Sequence, residues 1–438
     1  MALNLATRVV TKTRDRMTLD ADICVVGSGA AGIMAALTAA SLGRKTVLLD
    51  AMPTIGGQLV GTLLGTICGL YSNGPRPHRL TFGPVDDLLA DLASENALHP
   101  RRALDTIVLQ YDEARSGRWA ERALAKSGVT PLLGVVLRDV RMEGRRVAEV
   151  ELATRWGDVR IRAGGFVDAS GDATVAWHAG LAVREPECPQ WGTQMVLLEG
   201  FDEKAMSEFD GFQVEQALRR RKADFGLQRE DGFIFAFPGQ GVATVNLTHV
   251  PTPTEPVGAA RAVFEGREQA DRVLALLKEE FPTSMAKARI RAYGQLGIRQ
   301  TRWIVGVCQL TMQDVRSGKR PTDAVARCSW PVEAHNSAER VHWEMFDDKD
   351  HVHYIPLGSL LHRDADNLVA AGRCMDGDVG ALASVRVMGP CFAMGQAAAH
   401  VLDLTGRNAT QDIDFGKLAS RLHENLDSRR TDPWCEGL

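Results

Sequence analysis

Ala21 to Gly32 reads A-D-I-C-V-V-G-S-G-A-A-G, and the fold follows from this stretch. The apolar run to Gly27 suits a buried parallel strand. Ala30 to Leu42, rich in Ala, Leu and Met with Gly43 as its stop, suits a helix. K-T-V-L-L-D (Lys45 to Asp50) then supplies a second buried strand, completing a βαβ unit. Gly27 permits the tight turn, Gly29 lets a pyrophosphate approach the backbone, and Gly32 lets helix and strand pack closely. The helix N-terminus faces the phosphates. Asp50, 18 residues after Gly32, can accept hydrogen bonds from both ribose hydroxyls and would repel a 2′-phosphate. A Gly-rich turn without a ligand needs neither the strand–helix context nor the terminal acid.

Outward from this unit, residues 53–84 are dense in Gly, Pro, Thr and Ser, and a loop this long is expected to line a site. Helices are expected at Asp86 to Ala97 and Tyr111 to Ser127, and Val135 to Ile161 has the pattern of antiparallel strands. The middle of the chain mixes strands (Gln194 to Leu198, Gly232 to Phe237, Val242 to Val250) with a polar helix at Ala259 to Phe281, and forms a separate lobe. N-L-V-A-A-G (Asn367 to Gly372) and an Ala-rich helix at Val387 to Leu404 return to the first domain.

The chain has 438 residues, 45% hydrophobic and 24% charged, which is ordinary globular usage with room for two domains. A net charge of −4 offers no field to hold nucleic acid or an anionic membrane, so the expected partner is a small molecule. The 8 cysteines are scattered singly and read as reduced packing thiols, and no metal site is expected. Without an apolar signal run or an uncharged stretch of membrane-spanning length, the expected location is cytoplasmic. An oligomer is compatible with all of this.

FAD and NAD both fit the glycine fingerprint, and blocks farther along distinguish them. Ile55 to Gln58 with its Gly56-Gly57 turn, V-D-A-S-G-D-A (Val167 to Ala173), G-I-R-Q-T-R (Gly297 to Arg302) with L-T-M-Q-D-V (Leu310 to Val315), and Y-I-P-L-G-S-L-L (Tyr354 to Leu361) follow in order. D-N-L-V-A-A-G-R-C (Asp366 to Cys374) and S-V-R-V-M-G-P-C-F-A-M-G-Q-A-A-A (Ser384 to Ala399) close the set. Together these resemble the FAD-dependent oxidoreductase family of the glutathione-reductase-like flavoproteins, and more distantly the fumarate reductase and succinate dehydrogenase flavoproteins. Gln300 replaces that family's usual acid and Ser170 its Thr.

The resemblance implies an α/β fold: a Rossmann-like FAD-binding domain with a parallel sheet, and a mixed α+β substrate lobe inserted in it. The expected division is a mobile arm at 1–18, the FAD domain at 19–188, the substrate or cap lobe at 189–330, the FAD return at 331–405 and a helical tail at 406–438. The cofactor set it implies is Gly27, Ser28, Gly29, Ala30, Ala31, Gly32, Asp50, Ala51, Gly56, Gly57, Gln58, Val136, Ala169, Ser170, Gly171, Gly372, Arg373, Asp376, Ser384, Val385 and Met388. FAD is expected to be non-covalent, since no His or Cys occupies an arguable attachment position. Ser384 to Pro390 is expected to open the final helix, whose dipole would stabilise negative charge on the reduced flavin.

Arg386 resembles the substrate-carboxylate arginine of the fumarate reductase flavoproteins, with an ion pair or cap as its structural alternative. Arg299 and Arg302 are expected in the same cavity or pinning the lobes. His351 and His353, on one strand face, are candidates to take a substrate proton, with a satisfied structural role for each as the alternative. No second G-x-G-x-x-G unit follows residue 50, so electrons are expected to leave to oxygen, a quinone, an electron-transfer protein or a second substrate. The implied activity is an FAD-dependent dehydrogenase or oxidase that takes a hydride from a small hydroxy, amino or carboxylate-bearing substrate onto flavin N5. The alternatives are a flavin-dependent enoate reductase of the fumarate reductase type, a flavin-binding scaffold or sensor without turnover, and a plain NAD dehydrogenase. The last has no use for the distal blocks.

Overall fold

The computed structural model describes residues 7–9, 11, 17–188, 190–206, 211–435 and 437. The expected arm at 1–18 lies largely outside the described residues, and Met17 and Thr18 already belong to the first strand. That strand, β1 (Met17–Val26), starts ahead of the apolar run because residues 17–20 pair with 159–162 at the exposed end of the sheet. α1 (Ala30–Ser41) and β2 (Thr46–Asp50) complete the βαβ unit, with Val26 opposite Leu49 in parallel register.

A seven-stranded sheet runs in the order Thr130–Leu133, β2, β1, Gly157–Asp168, Arg146–Thr154, Val136–Glu143, with Leu368–Ala370 added against Gly157–Asp168. Gly157–Asp168 is shared: residues 157–162 pair antiparallel with Arg146–Thr154, and 166–168 pair parallel with Leu368–Ala370. The distal N-L-V-A-A-G segment is therefore a core strand. Its parallel register brings Gly372 to the edge where β1, β2 and Gly157–Asp168 also end. Ligands of open α/β sheets bind beyond that edge.

Two expected boundaries shift. Tyr111 ends a hairpin of Leu98–Ala103 and Thr106–Tyr111 rather than starting a helix; Asp112 caps Glu113–Ser127 by accepting from Arg115 N at 2.9 Å. Ser384 and Val385, expected at the opening of the final helix, instead end a separate helix, Val379–Val385. The chain then extends at Val387 (ψ 164°), and the long helix begins at Met388 (Met388–Thr405). This long helix packs on α1 at backbone distance: a Cβ on Gly395 would stand 2.0 Å from the Ala31 carbonyl oxygen. The run of Ala and Gly on both helices is what that approach requires.

The middle of the chain forms a four-stranded antiparallel sheet of Phe233–Phe237, Val242–Asn246, Thr193–Glu199 and Arg289–Gly297. Helix Pro256–Glu280 covers it, and Val196, Leu198, Val273, Leu276 and Leu277 lie in its own apolar cluster. The chain leaves this sheet at Gly297. Trp303–Ile304 pairs with Val183–Arg184 and Ala324–Cys328 with His353–Pro356, so the return begins ahead of the expected residue 331.

Candidate functional site

The glycines of the first turn are held by contacts that only glycine permits. Gly27 has φ +100°, and a Cβ on it would stand 2.4 Å from the Ala169 oxygen; a Cβ on Gly32 would stand 1.8 Å from the Gly27 oxygen. Gly29 differs, because a Cβ there would meet nothing within 4 Å. It is the N-cap of α1 and faces open space along the helix axis, the place where backbone N–H groups can receive a phosphate. The Gly56-Gly57 turn closes on it: Gly56 N donates to the Ser28 oxygen at 3.0 Å, and a Cβ on Gly57 would stand 3.0 Å from Gly29 Cα.

Asp50 anchors this turn from the end of β2. One oxygen accepts from Ser28 N at 2.6 Å and Ser28 Oγ at 2.7 Å, and the other accepts from Met52 N at 2.8 Å. Removing the carboxylate in Asp50→Ala leaves those donors without it and deletes the expected ribose acceptor. FAD affinity is expected to fall about ten- to hundredfold, the equivalent of about 1.5–3 kcal/mol for a charge-assisted bond. Titration of the apoprotein with FAD checks this, and an unchanged affinity would move the ribose contact elsewhere.

Ala169 N donates to the Val26 oxygen at 2.8 Å, bringing Ala169-Ser170-Gly171 beside the first turn. Gly372, at φ +80°, packs on Ala31, where its Cβ would come within 3.3 Å. Arg373 donates to Asp172 at 3.0 Å and to Thr301 Oγ1 at 3.3 Å, over Gly171. Ala30 starts α1, and Ala51 stands exposed after Asp50. Val136 is 56% exposed; the neighbour Val135 makes the approach to Asp50, its N–H meeting the Asp50 carbonyl at 3.0 Å.

Several expected ligands face the protein instead. Asp376 accepts from Gly306 N at 2.8 Å, Arg184 at 3.0 Å and Gln309 at 3.1 Å, which ties the return segment to 306–309. Gln58 donates to the Ile298 carbonyl at 2.5 Å. Ser384 donates its hydroxyl proton to the Trp330 carbonyl at 2.6 Å and lies 2.9 Å from His353 Nε2, while Val385, the last residue of the short helix, is fully buried. The cause is the break at Arg386–Val387, which leaves Met388, not Ser384, at the opening of the long helix.

His351 and His353 do share a face: His353 Nδ1 lies 3.3 Å from His351 Nε2, and Phe346 stacks on His351 at 3.8 Å. Both are buried, and burial followed by the neighbouring His351 pushes His353 down to about 3. The unfolded ring binds a proton near pH 6.5, so between these values the unfolded state carries more protons and stability is lost as pH falls. His353 alone is expected to lower unfolding stability by about 2 kcal/mol from pH 7 to pH 5. Denaturant unfolding at both pH values, beside His353→Gln, measures it; an equal slope in the variant contradicts it.

The arginines separate. Arg302 stacks on the half-exposed Trp177 ring at 4.2 Å, and its Nε is buried without a hydrogen-bond partner. Arg299 and Arg386 come together. Arg299 donates to the Trp191 carbonyl at 2.7 Å and Arg386 to the Glu333 carbonyl at 2.9 Å. Among the described residues neither forms an ion pair, and Arg386 Nε is buried without a hydrogen-bond partner. Burial lowers the pKa of both, and in Arg299 the charge of Arg386 adds to the effect. Cys391 connects this pair to the first turn, donating to the Arg386 carbonyl at 3.3 Å and touching the space above Gly372. Both side-chain atoms of Gln300 are also buried and unpartnered.

Glu333 and His335, which flank Ala334 at this site, are residues that sequence patterning leaves unmarked. Their E-A-H alternation was the available signal, the same one that marks His351 and His353.

The family model for FAD dependent oxidoreductases matches residues 22–422. A stretch of 53 residues is 42% identical to urocanate reductase of Eggerthella lenta, covering 12% of this chain and 9% of that protein. The fold is similar to a geranylgeranyl bacteriochlorophyll reductase-like protein from Thermoplasma acidophilum, with TM-score 0.49 and 15% identity over 93% of this chain and 85% of that one. Anhydrotetracycline hydroxylase from Streptomyces rimosus is similar at TM-score 0.46 and 12% identity, over 93% of this chain and 65% of that one. Among the described residues no helix is long and apolar enough to cross a membrane. Matched from the first strand through the long final helix, the chain belongs to the FAD dependent oxidoreductase family, and FAD is its cofactor.

Proposed function

We propose that this oxidoreductase acts on a small polar substrate through its carboxylate, which Arg386 and Arg299 bind. One observation carries the reading: two neighbouring buried guanidinium groups form no salt bridge among the described residues, and the charge of Glu333 acts on both without such a contact. Removing two such charges from water costs several kcal/mol per ion, and a bidentate carboxylate supplies the direct contact that neither arginine has. Gly29 and the α1 N-terminus would hold the pyrophosphate, Asp50 the ribose, and Gly57, Ala169, Gly171 and Gly372 the backbone surface beneath. FAD when bound supplies two-electron chemistry.

In the first reading, a hydroxy or amino acid, or another carboxylate-bearing carbon, is oxidised. The electrons then pass to oxygen, a quinone or an electron-transfer protein. In the second, an unsaturated carboxylate is reduced, and the short likeness to urocanate reductase favours this sense. The test is anaerobic: oxidised holoenzyme is mixed with small hydroxy and amino acids, and reduced holoenzyme with enoates, while flavin absorbance is followed. A response to one class of acid, lost in its ester or amide, is expected. Equal response to the neutral analogues removes the anion site, and no response at all favours a scaffold without turnover. FAD should be released into solution by heat or acid; yellow colour retained in the precipitated chain contradicts non-covalent binding.

A further inference from the structure

Beside the arginine pair runs a buried hydrogen-bond chain whose direction is fixed at one end. His249 Nδ1 lies 3.1 Å from the Ala338 carbonyl, His249 Nε2 lies 2.9 Å from His335 Nδ1, and His335 Nε2 lies 2.8 Å from Glu333 Oε1. The Ala338 carbonyl has no proton to give, so His249 donates to it through Nδ1–H. In neutral His249 the Nε2 is then a lone pair, and His335 must donate to it from its own Nδ1–H. Neutral His335 in turn presents a lone pair on Nε2 to Glu333. Two lone pairs repel, and the contact closes only with one proton between them.

We infer that Glu333 and His335 share one proton, and that Glu333 is the acid that passes this proton to a substrate held by Arg299 and Arg386. The placement supports it. The Glu333 carbonyl accepts from Arg386, the His335 carbonyl accepts from Trp191 N at 2.7 Å, and the Trp191 carbonyl accepts from Arg299. Trp330 Nε1 donates to Glu333 Oε2 at 3.0 Å, which leaves Oε1 to the shared proton. The Glu333 side chain is 17% exposed and that of His335 1%, so exchange passes through Glu333 while His335 and His249 are positioning residues. Burial, then the charges of Arg229, Arg299 and Arg386, hold His335 well below the ordinary histidine range; burial with Arg229, Arg299 and His335 does the same for His249. Both rings are thereby kept neutral, as the chain requires.

This inference rests on the proposed anionic substrate. A pair loaded with a proton is set for the reductive sense. Reduced FAD, when bound, would supply a hydride with its electron pair to one carbon of the substrate C=C, and Glu333 would give its proton to the other. Glu333 is left as a carboxylate and takes a proton from solvent. In the oxidative sense the same bonds break and form in reverse, starting from the ionised pair.

Nitrogen NMR of isotope-labelled histidines in the holoenzyme reads the tautomers directly. Glu333→Gln tests the transfer, because its carbonyl can still accept from Trp330 and its amide can still donate to His335 Nε2, yet it has no proton to give. His249 and His335 are expected as neutral Nδ1–H rings. The variant is expected to keep its FAD and melting temperature, to lose about 100- to 10,000-fold in anaerobic rate, and to lose the pH dependence of that rate. His335 protonated on Nε2 alone overturns the shared proton, whatever the substrate proves to be and whether or not the variant folds. An unchanged rate and pH profile in Glu333→Gln overturns the proton transfer and leaves the anion site standing. If esters react as well as acids, the anion site falls instead, and the tautomers still decide the shared proton.

Discussion

Gly29→Val is expected to give a folded, colourless protein. Gly29 has φ −73°, which any residue can adopt, and a Cβ there meets nothing within 4 Å. The apoprotein therefore tolerates a side chain at this position. A cofactor does not, because the branched side chain projects from the helix N-cap into the space where the pyrophosphate must meet backbone N–H groups. The neighbouring fingerprint glycine should behave in the opposite way: Gly32→Ala drives a Cβ to 1.8 Å from the Gly27 oxygen and is expected to cost at least about 3 kcal/mol in folding. The absorbance of the purified protein and its thermal unfolding separate the two effects. FAD at normal stoichiometry in Gly29→Val would place the pyrophosphate elsewhere, and an unfolded variant would show that the open space is needed by the fold itself.

The second large effect is expected at Arg386. Arg386→Lys keeps the charge but loses the planar fork, and with it the bidentate geometry that a carboxylate recognises. The anaerobic rate with the best acid substrate is expected to fall about a hundredfold, as the loss of about 2–3 kcal/mol in the transition state implies. FAD content should not change, because Arg386 reaches the Glu333 carbonyl and not the glycine turns. Its main role would instead be structural if the variant lost thermal stability while the rate stayed normal. Arg299 would then be the next anion ligand to test, since Arg302 is committed to Trp177.

The strands, the first helix and the dinucleotide-binding turn were legible in the sequence because their causes are local, whereas the choice of FAD came from the resemblance of the distal blocks. A strand buried on both faces needs an unbroken apolar run, and a phosphate-binding turn needs glycine where a Cβ would strike a carbonyl oxygen, as at Gly27 and Gly32. The carboxylate of Asp50 belongs to the same local unit. These requirements are satisfied within a few residues of each position or across one βαβ unit, so residue type and spacing express them.

The tertiary structure alone decided which distant side chains meet. Arg299 and Arg302 are nearly adjacent, yet one donates to the Trp191 carbonyl and the other stacks on Trp177, a choice made by neighbours more than a hundred residues away. Two histidine-bearing strands look alike in sequence, but His353 is satisfied by Ser384 whereas His335 meets Glu333 and, 86 residues away in the chain, His249. The end of the short helix at Val385 likewise turned Ser384 from an expected cofactor contact into a partner of His353. Hydrogen-bond direction and unpaired charge depend on the groups that packing brings within about 3 Å, and sequence spacing does not carry that information.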